Sequence, residues 1–204
     1  MASAQPPSTV RRSQAQRRAE TRAKVLRSAC LLFGRQGYHQ TSLEDIAQHG
    51  GVTIRPIYHY FGNKLKLFAA VTEQTESRIL TALDSIDPRA SIPPLDQGLS
   101  RFLELCLDPA FRQIVLLDSP SVLGRQRWSS SAVTLRAQQQ IAILLDQQQP
   151  PISRGQGLLI GRLLIANFAE IALFIAEADD FETAKNEAEA LLRRSFNALL
   201  SSPQ

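Results

Sequence analysis

Arg55 and His59 stand one helical turn apart, and each carries donors that can meet the edge of a base. A guanidinium fork matches the two acceptors that guanine shows in a DNA major groove, so Arg55 is the first candidate for reading a base and His59 the second. They lie in a run from Thr53 through Ile54, Arg55, Pro56, Ile57, Tyr58, His59 and Tyr60 that reads as a short helix capped by Thr53. Pro56 falls in the first turn, where its missing amide loses no intrahelical bond. The neighbouring first-turn amides point outward as a weakly positive end suited to phosphate. Ile57 and Phe61 share the opposite side and hold the helix on an apolar core. For Tyr60 a place in that core and a contact with phosphate stay equally open.

A helix that reads a groove needs a second element to set its angle. Residues Gln40 to Thr53 supply it. Thr41 with Glu44, or Ser42 with Asp45, forms the hydroxyl-x-x-acid pattern that starts a helix. Leu43, Ile46 and Ala47 give that helix one apolar face, and Gly50-Gly51 breaks it. Two short helices joined by a glycine turn make a helix-turn-helix, the unit that places its second helix in a major groove. A longer helix, from about Arg17 to Arg35, precedes them, with Val25, Leu26, Ala29, Leu32 and Phe33 as its buried stripe and Gly37 as its left-handed stop. A fourth opens after Gly62-Asn63 and runs to about Leu83.

The stretch also resembles the TetR family of transcriptional regulators. The resemblance lies in Ala29, Phe33, Gly37, Tyr38, Thr41, Ile46-Ala47, Gly51-Val52-Thr53, Ile57-Tyr58, Tyr60-Phe61, Lys64 and Leu67-Phe68, roughly the first third of the chain. It implies that Tyr58, Lys64 and Thr41 contact phosphate. Arg55 and Pro56 depart from it: the family usually has small residues there, so an atypical base-reading surface is expected. It further implies a homodimer built on two helices from each chain. Such a dimer reads a palindromic operator in double-stranded DNA and is released by a small molecule held between head and dimer helices.

Charge is divided along the chain. Residues 1–70 hold eleven Lys and Arg against three Asp and Glu, a balance of +8, and residues 71–204 hold twelve against sixteen, a balance of −4. The basic part is the footprint of a nucleic-acid partner. Residues 1–15 are polar and aperiodic and are expected to be a disordered basic arm. Arg11, Arg12, Arg17 and Arg18 stand where it meets the first helix, placed to touch phosphate or enter a minor groove. A DNA-binding domain over 16–70 and a ligand-binding and dimerisation domain over 71–204 are therefore expected.

The second region reads as helical patterns over Leu95–Leu107, Pro109–Leu117, Ser121–Gln147, Ser153–Ala178 and Glu182–Ser201, with Ser119-Pro120 and Pro150-Pro151 as breaks. No run alternates at period two, so the fold class is all-α. Phe102, Cys106, Phe111, Leu116, Trp128 and Phe168 are candidates for an apolar pocket, with Asn167, Arg162 and Glu170 as polar handles, which points to an apolar or amphipathic effector. The helix from Ser153 is apolar on nearly every side and needs cover. Leu163, Ile171 and Phe174, with Leu192 and Phe196 of the last helix, are the expected dimer interface. Arg162, Asn167 and Glu170 at its middle argue against a membrane span, and no signal-peptide pattern is present, so a cytoplasmic protein is expected. All three histidines precede residue 60 and the two cysteines, Cys30 and Cys106, lie in apolar helical patterns. No catalytic residue, metal site or cofactor is expected. A ligandless architectural DNA-binding dimer is the rival reading.

Overall fold

The computed structural model describes residues 13–146 and 153–200, except for the side chains at 125, 128, 196, 197, 199 and 200. Every regular element among them is helical. The chain starts regular structure earlier than its composition suggests. α1 (Gln14–Gln40) opens at Ser13, whose Oγ accepts the Gln16 amide at 3.2 Å while the Gln16 side chain accepts the Ser13 amide at 2.8 Å. That reciprocal cap extends the helix into the stretch expected as arm. Arg11 and Arg12 lie outside the described residues.

At Gly37 (φ 79°, ψ 169°) α1 is interrupted, and the chain winds on to Gln40. Only glycine takes that backbone without strain. The interruption strips the Tyr38 amide of its helical acceptor, and the buried Asp118 carboxylate accepts it instead at 2.7 Å. α2 (Leu43–His49), α3 (Ile54–Phe61) and α4 (Lys64–Asp84) complete the head. Val25, Phe33, Ile46, Ile57, Leu67 and Phe68 are all fully buried at its centre, with the Phe33 and Phe68 rings edge to face at 5.1 Å.

α4 does not stop at the head. It continues into the body, where it packs against α5 (Pro94–Cys106) and α9 (Ala132–Leu145). Between them the chain forms α6 (Pro109–Phe111), a π-helical stretch (Arg112–Asp118), α7 (Ser119–Val122) and α8 (Arg125–Ser129). Two expectations fail here. Ser119-Pro120 does not break the chain, because the wider π-helical turn just before Pro120 lets it wind on although proline brings no amide. The long helix expected over Ser121–Gln147 is three pieces. Gly124 at φ 85° ends the first, and Ser131 starts the last by accepting the Thr134 amide. Pro150-Pro151 lies outside the described residues.

The body closes with α10 (Arg154–Glu177) and α11 (Phe181–Leu200), which pack on each other while α10 also packs on α9. α10 is long and apolar enough to cross a membrane by length and composition, and only 28% of its most apolar window is buried in this chain. Its outward side carries Leu159, Leu163 and Phe174 at 59, 41 and 59% exposure, mixed with exposed Arg162, Asn167 and Glu170.

Candidate nucleic-acid interface and ligand cavities

The sequence leaves two overlapping caps for α2, and the geometry chooses one. Ser42 Oγ accepts the Asp45 amide at 3.0 Å, and the Asp45 carboxylate accepts both the Ser42 hydroxyl (2.6 Å) and amide (3.2 Å). The hydroxyl first, then the amide, hold the Asp45 carboxyl below its usual range. Thr41 is consequently not the cap of α2. It is 1% exposed and donates its hydroxyl to the Gly37 carbonyl at 2.8 Å, which closes the corner after α1, and it borders the hollow that Tyr58 and Lys64 share.

The turn to α3 is held by the Val52 amide on the Ala47 carbonyl at 3.0 Å. Thr53 is the N-cap of α3, but its exposed hydroxyl makes no cap bond, so it is free to face a ligand. Ile57 and Phe61 turn inward as the helical spacing requires. Arg55, Tyr58 and His59 turn outward, Tyr58 at 52% exposure. Ile54, Pro56 and Tyr60 are half-buried along the flanks. Tyr60 packs against the core, its ring centroid 6.4 Å from Phe61 and 5.0 Å from His59.

Lys64 opens α4 and leans over Tyr38, its Nζ 4.4 Å from the ring centroid. An ammonium over an aromatic face is attracted to it, and partial burial lowers its pKa from the ordinary lysine value. Lys64 and Tyr58 thereby meet around one open hollow of about 430 Å³ at the corner of α1, α2 and α3, edged by His39, Ser42 and Glu44. Arg17 and Arg18 are exposed on the first turns of α1, and the Arg22 guanidinium lies 5.3 Å over the Phe61 ring. A basic, aromatic-edged surface thus surrounds the outward strip of α3. The part that Tyr38 and Asp118 play in holding it was not visible beforehand: eighty residues separate the two, and no local pattern links them.

Comparison with known proteins decides the family. The description "Bacterial regulatory proteins, tetR family" matches residues 25–71, and "Tetracyclin repressor-like, C-terminal domain" matches residues 93–199, more than half of the chain. The chain belongs to the TetR family. It is 29% identical over 164 residues to the HTH-type transcriptional regulator TtgR of Pseudomonas putida, covering 76% of this chain and 75% of that protein. To the HTH-type transcriptional repressor BepR of Brucella suis it is 30% identical over 109 residues, 52% of each. The crystal structure of a TetR-family regulator from Pectobacterium atrosepticum superposes with a TM-score of 0.70 at 30% identity, over 95% of this chain and 100% of that one. This TetR-family chain is therefore a DNA-binding transcriptional regulator, with a helix-turn-helix head and a helical body.

The residues expected to line one ligand pocket divide among several places. Phe102 and Phe168, stacked at 6.1 Å, wall a cavity of about 90 Å³ between the end of α4, α5, α9 and α10. Phe111 is fully buried behind Phe102. Leu116 instead lines an open groove of about 780 Å³ with Arg162 and Glu170. Cys106 borders a third hollow with Arg112 and Phe181, and burial pushes its thiol up to about 12. Asn167 is exposed on α10 and lines none of these. The Trp128 side chain lies outside the described residues.

Among the expected interface residues, Leu163 and Phe174 are exposed and Ile171 is half-buried. Leu192 is 3% exposed inside this chain, part of its own core rather than a free surface. It faces inward because α11 packs that side on α10. The Phe196 side chain lies outside the described residues.

Proposed function

We propose that the chain acts in the cytoplasm as a homodimer that represses transcription from a palindromic operator and leaves it when a small molecule binds the body. The reading is carried by the outward strip of α3, where Arg55 and His59 project beside Tyr58 and Lys64 on a head whose other side is fully packed. Arg55 and His59 read base edges. Tyr58, Lys64, Thr53 and the α1 arginines hold phosphates, which fix position but carry no sequence. One eight-residue helix spans too few bases for a specific site, and pairing two of them supplies the rest.

The uncovered apolar face of α10, with Leu159, Leu163 and Phe174 joined by Leu191 of α11 at 56% exposure, supports pairing through these helices. A contiguous exposed patch of large apolar side chains marks an interaction surface. Release by a ligand is supported by α4, one unbroken helix whose first turn holds Lys64 and whose last turns wall the Phe102–Phe168 cavity. That the similar protein BepR is a transcriptional repressor supports the sign of regulation.

The test is to sequence genomic fragments that the purified dimer retains, then add metabolite extracts to the bound complex. A common site lost on addition of a fraction is the expected result. Retention that no fraction alters would instead favour a ligandless architectural dimer.

A further inference from the structure

The cavity beside Phe102 and Phe168 restricts what can enter it. Ile79 and Leu83 of α4, with Ile86 just beyond its end, form one wall, and Ile141 of α9 faces them. Among the described residues on its surface Gln140 is the one polar side chain, and no Asp, Glu, Lys, Arg or His reaches it. An ion entering this space would lose its water and find no countercharge. We infer that this cavity is the effector site and that it takes an uncharged hydrophobic molecule, about one ring or a short alkyl chain, with at most one hydrogen-bonding group to meet Gln140. The inference rests on the ligand-responsive reading above and narrows it, since Arg162, Asn167 and Glu170 all stay outside.

The size of the space says how such a molecule would act. A dry cavity of roughly 150 Å³ holds a benzene ring, and this one is about 90 Å³. A ring enters only if a wall gives. The α4–α5 loop beside it is braced by Gln97, whose Nε2 donates to the Asp87 and Ile92 carbonyls and whose Oε1 accepts the Asp87 amide. α4 lies on the other side, and its far end carries the head. A ligand that pushes the last turns of α4 outward therefore acts on the DNA-reading surface by leverage.

Ethylbenzene, benzylammonium and benzoate share one ring and nearly one shape but differ in charge, so they test the inference directly. Titrating each into the full-length protein, by calorimetry and by thermal unfolding, should show ethylbenzene binding at least about tenfold tighter than either ion. Ala137→Leu fills the space from α9 and Ala82→Leu from α4; in whichever retains the parent's circular dichroism, ethylbenzene affinity should fall by about tenfold. An ion that binds as well as ethylbenzene overturns the inference, as does ethylbenzene binding that survives the filled cavity. If both variants unfold, the charge series on the parent decides alone. Operator retention is followed in the same titrations. Ethylbenzene that binds as described yet leaves DNA affinity unchanged upholds the ligand class and refutes the release reading.

Discussion

At the scale of single residues, the head separates two kinds of contact that mutation can tell apart. Arg55→Ala should cost about 1–3 kcal/mol on the cognate operator and little on unrelated duplexes, because a bidentate base contact is sequence-specific. Lys64→Ala should weaken all duplexes alike and reduce the salt slope of log K by about 1, as loss of one phosphate contact does. Fluorescence anisotropy over a salt series on both duplexes checks both; Arg55→Ala that weakens every duplex equally removes its base-reading role. Helical spacing alone revealed that Ile57 and Phe61 face inward and Arg55 and His59 outward. It did not choose between Thr41 and Ser42, since their capping patterns overlap and only the bonds formed in the fold, Ser42 with Asp45 and Thr41 with the Gly37 carbonyl, resolve them. The cysteines give a pH test. Burial raises the thiol pKa of both, Cys106 to about 12. A raised folded pKa contributes stability below the unfolded pKa and loses it as pH rises toward the folded one. The parent should therefore lose stability relative to Cys106→Ala as pH climbs from about 9 toward 12, measured by urea unfolding at each pH; parallel curves would show that the buried thiol contributes nothing.

At the scale of elements, α4 depends on a buried ion pair in its middle. Glu76, 4% exposed, receives Arg127 of α8 through two bonds at 2.6 and 3.0 Å. Removing one partner strands the other charge, so Glu76→Ala should cost about 3 kcal/mol in urea unfolding, the low end for such a pair because the Arg127 side chain is 22% exposed. Replacing both with methionine should cost much less, and equal losses would show that packing, not charge, is at stake. The outer helices separate in the same way. Phe174→Asp should dissociate the dimer with the fold intact. Leu192→Asp should unfold the chain by burying a charge in its own core. Sedimentation and circular dichroism on both variants distinguish the two. Element boundaries set by caps and periodicity were legible, notably α4, α5, α10 and α11. The π-helical stretch and the breaks that divide the expected Ser121–Gln147 helix were not. The apolar spacing runs on through Gly124, and nothing local tells a tolerated glycine from one at positive φ.

At the scale of the whole molecule, the divided charge and the divided apolar surface describe one organisation: a basic head suited to DNA and an uncovered helical face, which the proposed dimer would cover with a second copy. The basic head and the apolar helix were both legible in the sequence, because charge balance and all-round apolarity need no knowledge of the fold. The sequence offered Phe102 and Phe168, which do wall one cavity, but not the rest of that cavity's walls, since these come from four helices. Two heads on a two-fold axis must reach grooves about one DNA turn, roughly 34 Å, apart, and that spacing is the most direct measure of the account. Binding should be compared on a retained operator and on the same duplex with about five base pairs, half a turn, inserted between its half-sites. The inserted half-sites face opposite sides of the duplex, and affinity should fall toward that for unrelated DNA, by about 10³-fold or more. Equal affinity for the two duplexes would contradict a two-fold dimer reading a palindrome.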